Sequence, residues 1–161
     1  MASGPLFPLD AIDLSRTVAG LEEIRKANPQ RFEMEQLTRI VHYDRATNDV
    51  AGVLELPAVP WWARGHVPGR PLMPGVLMLE AAAQLCSFGI RQVLTAPEYA
   101  ARFFGFGGID GVKFRGTIVP GDTLLILGHP QDIRPRRAVY ETQGWVGDRL
   151  CFEASITGLW V

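Results

Sequence analysis

The sequence predicts one α+β domain in which a mostly antiparallel sheet wraps around a single long, buried, apolar helix. The main observation is the segment from Gly75 to Val93, which has apolar residues on almost every helical face. A helix that is apolar all round has to be buried all round. Strand-like runs with turn residues between them lie on both sides of this segment. The 161 residues are enough for one domain with a substantial core.

The part of the chain before this helix predicts a short helix and two strands. Apolar residues spaced three and four apart indicate the short helix, and Asn28-Pro29 ends it. Loose alternation and an intervening turn indicate the two strands. The predicted bounds are a helix over 17–27, strands over 32–43 and 50–56, a central helix over 74–93, and one domain over 1–161 with 1–30 as an N-terminal extension.

Strand-like runs continue after the central helix. Turn residues separate them at hairpin intervals, which favours antiparallel pairing. Asp110-Gly111 is the first predicted turn, and residues 130–135, with a proline at each end, are another. The predicted strands cover residues 103–109, 112–119, 123–128, 138–146 and 150–159.

Composition excludes several classes of function. The 16 basic and 17 acidic residues are interspersed, without the basic stripe of a nucleic-acid-binding protein. The longest apolar run, Val76–Ala83, is interrupted by Glu80 and is too short to span a bilayer. The N-terminus has no basic segment before an apolar run, so we expect a cytoplasmic protein. Cys86 and Cys151 lack metal-binding spacing, so we expect buried free thiols and no metal.

His66 is the first candidate for chemistry. It lies between Gly65 and the stiff turn Pro68-Gly69-Arg70-Pro71, and stiffness helps to hold a base within reach of one proton. A histidine that only ties down a loop is the simpler interpretation. The turn shifts the balance toward function without deciding it.

Glu80 is the stronger candidate, since its neighbours in the central helix are apolar. A buried charge needs a partner, and a carboxyl group in apolar surroundings can serve as a general acid. Gln84 follows one turn later on the same face and could orient it. The alternative is a glutamate on a narrow exposed stripe of the helix.

The start of the central helix is the third candidate. The first N–H groups of a helix have no partner within it, and the helix dipole favours negative charge there. Gly75 allows close approach to the N–H groups of Gly75 and Val76, and Pro74 suits a first turn. Such helix starts are common, so this signal is weak alone.

Together these features resemble a known family. Residues 65–84 read GHVPGRPLMPGVLMLEAAAQ, and His66 and Glu80 are 14 residues apart (80 − 66). This segment is similar to the signature of (3R)-hydroxyacyl-acyl-carrier-protein dehydratases of the FabZ type, relatives of the FabA type. Residues 108–115 (GIDGVKFR) and 119–123 (VPGDT) resemble the second signature of that family. The resemblance covers roughly residues 30–161.

Three departures from the family pattern bear on the range of substrates. Val67 stands where the family usually has Phe, and Trp61-Trp62 replaces smaller or more polar residues. Residues 32–43 differ from the usual family sequence. The acid and the base are both retained.

The resemblance implies a hotdog fold and dehydration of (3R)-3-hydroxyacyl thioesters to trans-2-enoyl thioesters in type II fatty acid biosynthesis or related lipid metabolism. His66 would be the base, Glu80 of the other protomer the acid, and the N–H of Gly75 or Val76 the thioester ligand. The implied partners are an acidic acyl carrier protein with phosphopantetheine and a second copy of the chain, with a trimer of dimers as a further possibility. The resemblance implies no cofactor, no nucleic-acid partner and no insertion into a membrane.

Other residues are weaker candidates. Each apolar one is better explained as core when taken alone, and Phe104 is the candidate gate of an acyl tunnel. The candidates for the tunnel are Met78, Leu85, Phe103, Phe104, Phe106 and Phe114, and those for carrier-protein docking are Arg102, Lys113 and Arg115.

Alternative functions stay open at this point. A thioesterase or an enoyl-CoA hydratase could use the same fold, although a thioesterase would not need the turn that carries His66. A non-catalytic subunit that binds acyl chains is a further alternative, motivated by Val67 and Trp61-Trp62. Retention of both titratable residues opposes it.

Overall fold

A computed structural model describes residues 4–161, which form one six-stranded sheet and two α-helices. Short 3₁₀ turns connect several of these elements. The bounds are α1 Leu21–Ala27, β1 Arg39–Tyr43, β2 Val50–Glu55, α2 Gly75–Val93, β3 Phe104–Phe114, β4 Thr123–Arg134, β5 Arg137–Val146 and β6 Arg149–Trp160.

The sheet has the order β1-β2-β4-β5-β6-β3, and every neighbouring pair is antiparallel. Helix α2 packs against five of the six strands, from β2 to β6. Its apolar side chains meet those of the sheet in one core, where Leu85, Ile126 and Phe152 are fully buried. The predicted α+β class and the long buried helix are confirmed, with α2 starting one residue after the predicted bound.

The prediction of two strands over 103–119 is wrong. Strand β3 runs without interruption from Phe104 to Phe114, and Asp110-Gly111 lies inside it. Its register with β6 shifts between Asp110 and Lys113, and Gly111 has a positive φ of 60°. A glycine in the left-handed conformation suits a β-bulge as well as a hairpin turn. Here it forms a bulge, and β3 continues to pair with the long strand β6 on both sides of it.

The predicted turn over residues 130–135 is also wrong, because β4 continues to Arg134. The register between β4 and β5 shifts between Pro130 and Asp132. Proline cannot donate a ladder hydrogen bond, and a bulge is one place where a sheet tolerates it. The chain turns only at Pro135-Arg136.

The N-terminal elements are shorter than the sequence predicts. Helix α1 begins at Leu21, and Ala19 before it forms a bridge with Ile40 of β1. Residues 32–34 form a 3₁₀ turn, so that β1 begins only at Arg39. Residues 28–36 cross over α2 and do not form a strand. Several of their hydrogen bonds therefore go to this helix and not to a neighbouring strand.

The two edges of the sheet differ. The bridge from Ala19 covers part of β1, whereas the outer edge of β3 faces no other strand within residues 4–161. Long uncovered edges with apolar side chains are sites where other strands pair. The exposed apolar residues of β3 are Phe106, Ile109, Val112 and Phe114.

Cys86 and Cys151 are buried and free, as expected. Burial raises the pKa of both thiols and keeps them protonated. No helix within residues 4–161 has the length and apolar character needed to cross a bilayer.

Candidate active site

His66 follows a 3₁₀ turn formed by residues 61–64, with Gly65 between them, and its side chain is anchored. Its Nδ1 lies 2.7 Å from the carbonyl oxygen of Leu72, and its backbone N–H donates to Trp62. A carbonyl oxygen can only accept, so Nδ1 carries the ring proton. The Nε2 atom then holds a free lone pair, as a general base requires.

Val67, next to His66, has a φ of 52°. This left-handed conformation is unfavourable for a β-branched residue. Arg70 closes the turn by donating its N–H to the Val67 carbonyl. The turn therefore holds a strained backbone beside the candidate base, at a position where the sequence departs from the family pattern.

The start of α2 is held by contacts with β3 and with the segment that follows it. Met73 donates its N–H to Ile118 at 2.8 Å, and the ring of Phe114 lies against Gly75. A Cβ atom on Gly75 would come within 2.6 Å of this ring, so glycine is required for the contact. Within the described chain, the N–H groups of Gly75 and Val76 reach no acceptor.

These groups share one open groove, which we call the His66 groove. It has a volume of about 340 Å³, and its walls are mainly apolar. The candidate base and Val76 therefore border the same space. The groove is lined by Trp61, Trp62, Gly65, His66, Pro74, Val76 and Leu77.

Glu80 is half-buried and has two amide partners. Gln84 donates to Glu80 Oε1 at 2.8 Å, and Gln30 donates to the same oxygen at 3.2 Å. The second partner comes from the segment before β1 and lies 50 residues away in the chain. Sequence reasoning missed Gln30, because a single glutamine in a loop matches no motif.

The orientation of the Gln84 amide is fixed by the same N-terminal segment. Its Nε2 also donates to the carbonyl of Met34 at 2.6 Å, and its Oε1 accepts the N–H of Gln36 at 2.9 Å. Gln84 is buried, so a reversed amide would lose these contacts. Its N–H₂ group is therefore held toward Glu80, on the helix face that the sequence predicts for both residues.

Glu80 lines a second space, the Glu80 cavity, of about 210 Å³. Gln30 and Ser87 also line it, and Gln30 Oε1 and Ser87 Oγ are buried without a partner in the described part of the chain. Apolar residues and glycines make up most of the remaining walls. They are formed by Ala83, Phe103, Phe104, Gly105, Phe106, Ile156, Thr157 and Gly158.

The tunnel candidates divide into two groups. Phe103, Phe104 and Phe106 line the Glu80 cavity, and Phe104 closes one side of it by packing on Gly158. Met78 and Leu85 are core residues that line neither the Glu80 cavity nor the His66 groove. Phe114 lies at the start of α2, as described above.

The docking candidates are exposed. Lys113 Nζ and Arg115 Nη2 lie 3.5 and 2.6 Å from the same oxygen of Glu153, which offsets part of their charge. Arg102 is exposed, and its carbonyl accepts from Arg91.

The other histidines have structural surroundings. His129 Nδ1 lies 2.5 Å from Asp49, and the ring of His42 stacks on Phe7. The pairing with Asp49 joins residues 80 apart in the chain, which no local pattern shows. Among residues 4–161, no group of three or more histidine, cysteine or acidic side chains is arranged to hold a metal ion.

Comparison with known proteins identifies the family. A FabA-like domain model matches residues 28–155. The chain is 35% identical over 136 residues to 3-hydroxyacyl-acyl-carrier-protein dehydratase FabZ of Desulforamulus reducens, covering 84% of the chain and 93% of that protein. It is also 35% identical over 136 residues to the FabZ of Chloroflexus aggregans, covering 84% and 92%.

Solved structures agree in fold. The dehydratase heterocomplex ApeI:P from Xenorhabdus doucetiae superposes with a TM-score of 0.69 at 14% identity, over 91% of this chain and 93% of that one. A single-site mutant of a thioesterase from Pseudomonas aeruginosa gives 0.64 at 13% identity, over 91% and 96%. Fold alone does not separate these activities. The chain has the hotdog fold and belongs to the FabA-like family.

Proposed function

We propose that this protein dehydrates (3R)-3-hydroxyacyl thioesters of an acyl carrier protein to trans-2-enoyl thioesters. The relatives named as FabZ dehydratases support this substrate class. The single observation that carries the proposal is the bond from His66 Nδ1 to Leu72, which leaves Nε2 free beside the N-terminus of α2. A base next to unpaired N–H groups suits proton abstraction alpha to a carbonyl.

In the proposed reaction, the thioester carbonyl accepts the N–H of Gly75 or Val76. His66 Nε2 takes the proton from C2, and the electron pair of that bond forms the C2–C3 double bond. The C3–O bond breaks, and Glu80 donates its proton to the departing hydroxyl, which leaves as water. His66 ends protonated and Glu80 ionised, and proton exchange with solvent restores both groups.

We further propose that each site takes His66 from one protomer and Glu80 from the other. Within one chain these residues line different spaces, the His66 groove and the Glu80 cavity. The uncovered apolar edge of β3 offers the surface for the second copy, since two such edges can pair across a twofold axis. Cytoplasmic location and a trimer of dimers stay predictions.

The reverse reaction provides the test. Purified protein is incubated with a short trans-2-enoyl thioester of pantetheine or carrier protein, and loss of the conjugated enoyl absorbance is followed. We expect hydration by the wild type and a decrease of about 10²- to 10⁴-fold in His66→Ala and Glu80→Gln. Equal rates in all three proteins would refute the assignment.

The same assay addresses the thioesterase alternative. A thiol reagent added to the reaction detects hydrolysis, because only a thioesterase releases the free thiol of pantetheine or of the carrier. We expect no thiol release above the rate without enzyme. Hydrolysis also destroys the enoyl thioester chromophore, so thiol release that matches the loss of absorbance mole for mole would contradict the dehydratase proposal.

A further inference from the structure

The amide of Gln30 has one end on Glu80 and the other without a partner. Its Nε2 donates to Glu80 Oε1 at 3.2 Å, while its Oε1 is buried and accepts no hydrogen bond in the described part of the chain. Gln30 and Glu80 line the same cavity of about 210 Å³. A buried carbonyl oxygen without a donor is unfavourable, and a ligand that supplies a donor relieves this.

The two oxygens of Glu80 are unequal for the same reason. Oε1 already accepts the N–H groups of Gln84 and Gln30. These two N–H groups already occupy the acceptor positions of Oε1, so the transferable proton belongs on Oε2. A hydroxyl that accepts this proton must direct its own hydrogen to another acceptor.

We infer that Gln30 Oε1 is that acceptor and that Gln30 positions the departing C3 hydroxyl of the substrate. This inference rests on the proposed dehydratase function. One amide thus fixes both partners of the proton transfer: Nε2 holds Glu80, and Oε1 orients the hydroxyl and then the water that it becomes. Glu80 would donate to the hydroxyl oxygen while the hydroxyl donates to Gln30.

Ser87 Oγ is the other unpartnered polar atom among the described residues at the cavity, and it is too distant for this role. It lies seven residues beyond Glu80 on α2, which is about 10 Å along the helix axis. Gln30 is already in hydrogen-bond contact with Glu80. Of these two groups, Gln30 is therefore the one that can share a hydroxyl with the carboxyl.

The test measures how strongly the protein prefers a ligand with the hydroxyl. Affinities for a 3-hydroxyacyl pantetheine thioester and for its saturated analogue are measured by calorimetry in the His66→Ala protein, which keeps Glu80 and Gln30. We expect tighter binding of the hydroxylated ligand. Adding Gln30→Met or Gln30→Asn should reduce this preference about three- to tenfold, as for loss of one neutral hydrogen bond.

Gln92→Met serves as the matched control, because Gln92 is an exposed glutamine of α2 outside the cavity. It should leave the preference unchanged. If the wild type hydrates enoyl thioesters but both Gln30 variants keep the full preference for the hydroxylated ligand, this inference alone is overturned. A wild type without that activity would instead overturn the proposed function. A general loss of protein stability would weaken the binding of both ligands equally and leave the ratio of their affinities unchanged.

Discussion

The side-chain amide of Gln84 donates to Glu80 Oε1 at 2.8 Å, one helical turn along α2. The amide is held in this orientation by the backbone of the segment before β1, at Met34 and Gln36. The candidate acid therefore depends on two parts of the chain that are distant in sequence. Its environment is built by the crossing of the N-terminal segment over the central helix.

Replacing Gln84 by leucine should lower both stability and activity. Gln84→Leu removes three hydrogen bonds and leaves the Met34 carbonyl and Gln36 N–H without these partners. We expect a loss of about 1–3 kcal/mol in the free energy of unfolding, measured by urea denaturation. We also expect kcat to fall more than KM rises. Gln92→Leu is the control, and equal effects in the two variants would contradict this role.

Shortening Phe104 should change chain-length preference. Phe104 is buried and closes one side of the Glu80 cavity. Its ring packs edge-on against the ring of Trp160, with 5.4 Å between the ring centroids. Phe104→Leu should admit longer chains, with kcat/KM for a 3-hydroxydecanoyl relative to a 3-hydroxybutyryl thioester rising about fourfold for each further buried methylene. Phe32→Leu, an exposed position, should leave this ratio unchanged. An unchanged ratio in Phe104→Leu would remove this residue from the acyl site.

Reversing the charge of Lys113 should weaken recognition of the carrier protein. Lys113 is the more exposed of the two cations beside Glu153. Lys113→Glu should raise KM several-fold for carrier-bound substrate at low salt, because complementary charges at the rim of an interface govern encounter. KM for the same acyl group on pantetheine should not change. Lys26→Glu gives the same change of net charge on α1 as a control; an equal rise in KM there would show a general charge effect.

Acid stability should depend on Glu35. The guanidinium of Arg25 donates to both carboxylate oxygens of Glu35, at 2.7 and 3.0 Å, and this pairing lowers the pKa of Glu35 below its ordinary value of 4.5. The resulting stability is present above the unfolded pKa and is lost as pH falls through the folded pKa. Glu35→Gln should therefore lower stability by up to about 1 kcal/mol at neutral pH.

The difference between wild type and Glu35→Gln should begin to shrink as pH falls below about 4.5 and should disappear only below the lowered pKa of Glu35 in the folded protein, which urea denaturation at several pH values would measure. Glu22 contacts the same arginine from a far more exposed position, so Glu22→Gln should have a smaller effect. A constant difference at all pH values would show that Glu35 acts by packing and not by charge.

The parts of this fold that depend on local pattern are predictable from the sequence. The central helix is predicted to within one residue because its apolar faces and Pro74 define it, and β2 and β5 are predicted nearly in full. Turn residues mislead at Asp110-Gly111 and Pro130, because such residues suit bulges as well as hairpins. Pairing with a long neighbouring strand decides between the two.

The candidate site shows the same division. His66, Glu80 and Gln84 stand out as candidates because they lie in one continuous segment. Gln30 does not, because its contact with Glu80 depends on how the chain crosses α2, which single-residue patterns do not encode. The assignment of Met78 and Leu85 to the tunnel used apolar character alone, and this does not separate a cavity wall from the core.

Mixing two inactive variants tests the shared site most directly. His66→Ala and Glu80→Gln are each expected to be inactive, and co-expression in equal amounts should form mixed dimers as half of the total. Each mixed dimer would contain one intact pair, His66 and Glu80 both unchanged, and one doubly defective pair. We therefore predict recovery of about a quarter of wild-type hydration activity for a twofold-symmetric dimer. If His66 and Glu80 act within one chain, no mixed dimer has an intact site, and a mixture that stays inactive would contradict the account.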